Sequence, residues 1–179
     1  QEMSRGLGDV YKRQGLGSWR HQYADPSNLA DSGDPEVGKA AAFKLKWFGG
    51  VGPSRMPDRH FRGPAPLSAG PAMIVQADGV LIGVDPANGT ERWQYQLPEK
   101  SMRYVTPYDG GYVCLTENGE QVYAACNERV LLLDALKGKL LKSLPVDVGE
   151  RRWGYLAQGK EELVLTRMKP SAPLSLIHI

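Results

Sequence analysis

Between Pro71 and Thr166, short runs of hydrophobic residues alternate with turn-forming residues. Each run is five or six residues long, which suits a strand and is too short for a typical helix. Pairs such as Asp-Gly, Asn-Gly and Lys-Gly separate the runs, and glycine supplies the positive φ that tight turns require. The pattern predicts an all-β region in which hairpins join the strands. The predicted strands are 72–76, 80–84, 92–97, 111–116, 121–126, 129–134, 139–144 and 162–166.

Residues 15–70 have a different pattern, which we interpret as an irregular lead-in with a first strand. The first part of this region, 15–38, is polar and rich in turn-forming pairs such as Asp-Pro. In 43–48, hydrophobic residues alternate with lysines, which predicts a half-buried strand. The alanines of 36–42 favour a helix at that point, so this stretch stays unassigned.

Both ends of the chain resemble sequence of another origin. Residues 3–14 resemble translated sequencing-adapter DNA of the kind found at the ends of metagenomic assemblies, and residues 173–179 resemble the same kind of sequence. Neither segment has a capped helical period or a strand bounded by turn residues. We therefore expect 1–14 to be an adapter artefact, 71–168 to hold the folded repeats, and 169–179 to be a tail that ends in the second artefact.

The folded region contains an internal repeat. Residues 72–98 align without a gap on residues 121–147, at an offset of 49. In each copy a strand ends in Asp, and a turn of four residues follows that ends in Gly. The Asp can accept backbone N–H groups across the turn, and the Gly can take a conformation that a β-carbon would penalise. A period near 49 with about four strands is typical of a β-propeller blade.

The stretch from Gly83 to Trp93 resembles the repeat of quinoprotein-type propellers, the pyrroloquinoline-quinone-like (PQQ-like) pattern Ala-x-Asp-x-x-Thr-Gly-x-x-x-Trp. Asp85, Gly89 and Trp93 match this pattern, whereas glycine and asparagine replace the Ala and the Thr. The residues from Trp19 to Ser32 also resemble the lead-in of the family. The resemblance implies an all-β fold of this class over roughly 18–168.

The second copy of the repeat keeps Asp134 and Gly138 but has Lys142 at the tryptophan position. The resemblance implies that the tryptophan packs onto the neighbouring blade, so the lysine weakens blade docking at this point. A closed ring takes on the order of 300–400 residues. We therefore predict an incomplete β-propeller of about two to three four-stranded antiparallel blades.

Composition and charge narrow the functional classes. The chain has 22 Lys and Arg against 20 Asp and Glu, a net charge of +2, which gives no reason to expect a nucleic-acid partner. With 41% hydrophobic and 23% charged residues it is too apolar to be disordered. No apolar run approaches the roughly 18 residues that a membrane span needs, so no membrane span is expected.

The cysteines and histidines do not form a recognisable site. Cys114 and Cys126 are too few for a disulfide framework, and we interpret them as small buried side chains, with a cross-strand disulfide as the alternative. His21, His60 and His178 are scattered without zinc-ligand spacing, so no metal site is predicted.

Several other residues could bind a ligand or pack a core. Arg55, Arg59, His60 and Arg62 fall in one loop, which could form an anion site or be a solvated charge cluster. Asn88-Gly89-Thr90 fits the N-glycosylation pattern, but a turn within a blade needs no sugar. The third group consists of large aromatic residues that we expect in the core or between blades: Trp47, Trp93 and Trp153.

These features predict the N-terminal part of a PQQ-like repeat β-propeller that acts as a binding or scaffold module with protein partners. The resemblance also implies an extracytoplasmic location. The alternative is part of a dehydrogenase that depends on PQQ and calcium, which would need a catalytic Asp, Ca²⁺ ligands and often two adjacent cysteines. None of these can be located in the sequence, so catalytic residues are unassigned and cofactors are unknown outside this alternative. A third hypothesis is an accessory propeller of a larger enzyme.

Overall fold

A computed structural model describes residues 17–27, 29–34, 45, 47–48, 64–77, 79–98, 112–126, 128–147, 152–160 and 162–168. Within these ranges the chain forms ten strands and no helix. The strands are β1 (Leu67–Ala69), β2 (Ala72–Ala77), β3 (Val80–Val84), β4 (Glu91–Gln96), β5 (Val113–Leu115), β6 (Gln121–Cys126), β7 (Arg129–Asp134), β8 (Leu140–Pro145), β9 (Arg152–Gln158) and β10 (Leu163–Met168).

The predicted all-β fold is confirmed, and every strand predicted between 72 and 166 is present with small shifts at its ends. Two strands were not predicted. β1 is only three residues long, and in β9 the arginine and the glycine leave only Tyr-Leu-Ala as an unbroken apolar run, so neither strand contains a hydrophobic run that stands out. The strand predicted at 43–48 lies largely outside the described residues.

The strands form two four-stranded antiparallel sheets, each with its strands in chain order, and one two-stranded sheet. The first sheet contains β1 to β4, the second contains β5 to β8, and β9 pairs with β10. The two larger sheets share an irregularity between their third and fourth strands. The register shifts between Gly83 and Val84 in the first sheet and between Leu132 and Leu133 in the second. Because these positions are 49 residues apart, the sequence repeat is also a structural repeat.

The first three strands of the first sheet are buried on both faces, whereas β4 is largely exposed apart from Trp93. On one face, Ile74 and Leu81 belong to the main core, which also contains residues of the second sheet and of β9. On the other face, Val75 and Ile82 form a second cluster, against which Trp47 packs. Burial on both faces explains why β2 and β3 contain nearly continuous hydrophobic runs rather than an alternating pattern. The first sheet is therefore a middle layer of a stack.

Part of the lead-in crosses the first strand of all three sheets. Trp19 exchanges both backbone hydrogen bonds with Ser68 of β1, at 2.7 and 2.8 Å. The carbonyl of Arg20 accepts the Leu115 N–H of β5 at 2.9 Å, and the His21 ring accepts a backbone N–H of β9. β1 and β5 are edge strands, whose outward N–H and C=O groups need partners. We call residues 17–27 and 29–34 the strap.

Candidate functional site

The residues singled out by the repeat build the contact between the sheets. In the first copy, Asp85 opens the turn between β3 and β4. Its carbonyl accepts the Gly89 N–H at 2.8 Å, and its Oδ1 accepts the Ala87 N–H at 2.7 Å. Gly89 has a φ of +75°, a conformation that side chains with a β-carbon rarely adopt. The aspartate and the glycine therefore both serve to close this turn.

The second copy closes its turn in the same way. The Asp134 carbonyl accepts the Gly138 N–H at 2.9 Å, and Asp134 Oδ1 accepts the N–H groups of Leu136 and Lys137, both at 2.9 Å. Gly138 has a φ of +66°. The turn leaves the carbonyl of Ala135 available to a group outside its own sheet.

Trp93 of β4 binds the carbonyl of Ala135 and so joins the first sheet to the second. Its indole Nε1–H donates to the Ala135 carbonyl at 3.0 Å, in a buried position. The ring lies directly on Gly138, where a β-carbon would come within 2.5 Å of ring atoms. An aromatic side chain thus supplies a large buried surface and also satisfies a buried acceptor.

Trp47 makes the same contact one layer earlier. Its Nε1–H donates to the Pro86 carbonyl at 3.1 Å, and its ring covers Gly89, where a β-carbon would collide with it. Pro86 and Ala135 occupy the same position of the repeat, 49 residues apart. Trp47 and Trp93 are therefore equivalent packing groups, as predicted for the core or for blade contacts, although the sequence did not indicate which turn each would meet.

Gly83 stands at the position where the PQQ-like repeat pattern has Ala. It pairs across the sheet with Trp93, and a β-carbon at this position would collide with the indole. In the second sheet the equivalent pair is Leu132 with Lys142, and the lysine is exposed. The glycine and the tryptophan are thus replaced together.

The cysteines lie in the core of the second sheet, Cys114 in β5 and Cys126 in β6. Both are buried and both are free, so they do not form the alternative disulfide. Burial raises the pKa of the Cys114 thiol to about 12 and that of Cys126 to about 11. Thiols that stay protonated in this way are poor nucleophiles and act as small apolar side chains.

The remaining candidates give no further site among the described residues. Arg55, Arg59, His60 and Arg62 lie outside the described residues, and so does His178. Where side chains are described, no group of three His, Cys, Asp or Glu residues is placed to hold a metal ion. The same residues include no helix that is long and apolar enough to cross a membrane.

Comparisons with known proteins identify the fold. No family model and no curated protein sequence matches the chain. Among solved structures, it is similar to a europium-containing methanol dehydrogenase, with a TM-score of 0.53 and 15% identity over 91% of this chain and 29% of that one. The fold is that of a β-propeller.

The chain is also similar to BamB from Moraxella catarrhalis, with a TM-score of 0.40 and 19% identity over 57% of this chain and 29% of that one. It spans less than a third of the length of either structure. The first and second sheets are two four-stranded propeller blades, and β9 and β10 form a further two-stranded sheet. The prediction of an incomplete propeller of two to three blades is thereby confirmed.

Proposed function

We propose that this chain is part of a PQQ-like repeat β-propeller that works as a binding or scaffold module with protein partners outside the cytoplasm. The contact of Trp93 with the Asp134–Gly138 turn carries this proposal. Asp85 and Asp134 form hydrogen bonds within their own turns, and Trp93 forms one with the next sheet. These residues of the repeat therefore stabilise the stack of sheets. A rigid stack of sheets is suited to presenting a surface.

The outer strand of the second blade offers a surface that suits a protein partner. Leu140 and Leu141 of β8 are 40% and 49% exposed, and Leu136 in the preceding turn is 36% exposed. Neighbouring exposed leucines favour contact with another apolar protein surface over contact with a small charged ligand.

A dehydrogenase that uses PQQ and calcium is the second candidate, because the fold is shared with a methanol dehydrogenase. The described residues do not fit these groups. They contain no cluster of three potential metal ligands. Cys114 and Cys126 lie on different strands and cannot form a ring of adjacent cysteines. No step of that chemistry is therefore assigned to these residues.

Calorimetry on the product of the complete gene separates the two candidates. The folded protein is titrated with PQQ in the presence of Ca²⁺, with a parallel titration in which the calcium is chelated. We expect no saturable heat, and no reduction of an electron-accepting dye when methanol is supplied as the electron donor. Calcium-dependent binding near one site per chain, together with dye reduction, would overturn the scaffold proposal in favour of the dehydrogenase. Dye reduction without PQQ binding would indicate an accessory propeller fused to another enzyme.

A further inference from the structure

His21 is buried at the point where the strap meets the third sheet. Its side chain has no solvent exposure. Its Nε2 accepts the backbone N–H of Gln158, at the end of β9, at 3.1 Å. A ring nitrogen can accept this bond only when it carries no proton, so the contact requires a neutral histidine with its proton on Nδ1. Nδ1 has no partner at full hydrogen-bond geometry among the described residues, and the nearby backbone of Ala24 favours the protonated ring.

Protonation would turn this contact from attraction into repulsion. A proton on Nε2 would face the N–H of Gln158, so two donors would meet in a buried place. The same ring would then carry a charge with no solvent to stabilise it. Both effects act on the hydrogen bond between His21 and β9, whereas the hydrogen bonds of the strap with β1 and β5 use backbone groups that do not titrate.

Four neighbouring groups set the charge around His21. On the strap, Arg20 disfavours the protonated ring and Asp25 favours it. Tyr155 of β9 lies with its ring centroid 6.5 Å from that of His21. Cys114 of β5 interacts electrostatically with Tyr155 and with Arg20. Burial raises the pKa of both Tyr155 and Cys114, so both are neutral near and below pH 7. Burial is the largest influence on His21 and lowers its pKa from 6.5 to about 4.

We propose that the strap is an acid-released latch, in which neutral His21 holds the strap on β9 and protonated His21 lets it go. Release frees the N–H of Gln158 and weakens the neighbouring bonds to Ser68 and Leu115, so the first strands of the three sheets become accessible. This switch is independent of the proposed scaffold function.

The way in which the stability of strap docking changes with pH follows from the pKa of His21 in the docked and in the released strap. The released histidine takes up a proton below about pH 6.5, and the docked one only below about pH 4. The strap is therefore most stably docked above pH 6.5, and its docking weakens as the pH falls from about 6.5 to about 4. Between pH 7 and pH 4 the equilibrium constant for docking falls by about two orders of magnitude.

Amide hydrogen exchange measured by NMR on the full chain tests the latch. Protection factors, which correct for the intrinsic pH dependence of exchange, are followed for Trp19, Gln158 and the central core residue Val122. We expect protection of Trp19 and Gln158 to fall about 100-fold between pH 7 and pH 4, while that of Val122 holds. Equal loss at Val122 would mean general acid unfolding, and no loss at Gln158 would mean no latch; either result overturns the proposal.

Two variants identify the titrating group. Glutamine can accept the Gln158 N–H through its Oε1 and does not titrate, so His21→Gln is expected to abolish the pH dependence. His178→Gln, at a position outside the described residues, is the matched control and keeps it. A pH dependence that survives in His21→Gln overturns the proposal. If that variant does not fold, the ring signals of His21 in the unmodified chain decide: a midpoint near pH 4 supports the latch, and one near 6.5 contradicts it.

Discussion

The indole of Trp93 and the α-carbon of Gly138 meet with no room for another atom. Two separate constraints act on this glycine, since its φ is +66° and a β-carbon would lie 2.5 Å from the ring. Gly33 has a nearly identical φ of +65°, but no atom lies within 4 Å of the place of its β-carbon. Comparing alanine substitutions at Gly138 and Gly33 therefore separates two contributions to the free energy of unfolding: that of the positive φ, which both share, and that of the collision with Trp93, which only Gly138 has.

We therefore predict that Gly138→Ala destabilises the protein far more than Gly33→Ala. The left-handed conformation costs about 1–2 kcal/mol in both variants. Overpacking against Trp93 adds about 1–3 kcal/mol in the first variant alone. Denaturant unfolding of the two variants checks the difference, and equal destabilisation would contradict the contact between Trp93 and Gly138.

The hydrogen bond of Trp93 can be tested against a second tryptophan. Trp93→Phe leaves the buried Ala135 carbonyl without its donor, which costs about 1–3 kcal/mol beyond the loss of ring size. Trp19 is the control, because its Nε1 has no partner among the described residues. Thermal unfolding should show a clearly smaller loss for Trp19→Phe. The reverse order would mean that the indole N–H of Trp93 is not bonded between the sheets.

At the scale of the elements, the aspartate turn is a unit that recurs with its own hydrogen bonds. Asp134 Oδ1 accepts two backbone N–H groups, whereas Asp31 Oδ1 accepts one, from Gly33 in an exposed turn. Asp134→Ala is expected to cost about 1–2 kcal/mol, because two donors lose their acceptor. Asp134→Asn, which keeps an acceptor oxygen, should recover most of this stability in chemical denaturation. A cost for Asp31→Ala as large as that for Asp134→Ala would contradict a special role of the repeated turn.

Seven of the eight strands of the two blades, all except β1, could be predicted from the sequence because their signals are local. The hydrophobic run of β7 falls within six residues, and the Asp and the Gly of each turn are four residues apart. Each of these signals can therefore be recognised within a short stretch of sequence. The strap could not be predicted, since its contacts join His21 to Gln158, 137 residues further along the chain, through one ring nitrogen and one backbone N–H. For the same reason the sequence singled out Trp93 but did not indicate that it would bind the carbonyl of Ala135.

At the scale of the whole molecule, the propeller is built by repeating one contact. Trp47, which precedes the first blade in the chain, binds the turn of the first blade, and Trp93 of the first blade binds the turn of the second. Each tryptophan therefore binds the blade that follows it. Lys142 interrupts the series at the end of the second blade. If the stack belongs to a closed ring, the complete gene encodes further blades that keep the four-residue spacing from Asp to Gly.

A crystal structure of the complete gene product tests this arrangement most directly. We predict a ring of stacked four-stranded sheets in which the Nε1 of Trp93 lies within hydrogen-bond distance of the Ala135 carbonyl and its ring covers Gly138. A structure in which the two described sheets face each other as a closed sandwich, with Trp93 away from the Asp134–Gly138 turn, would contradict the propeller.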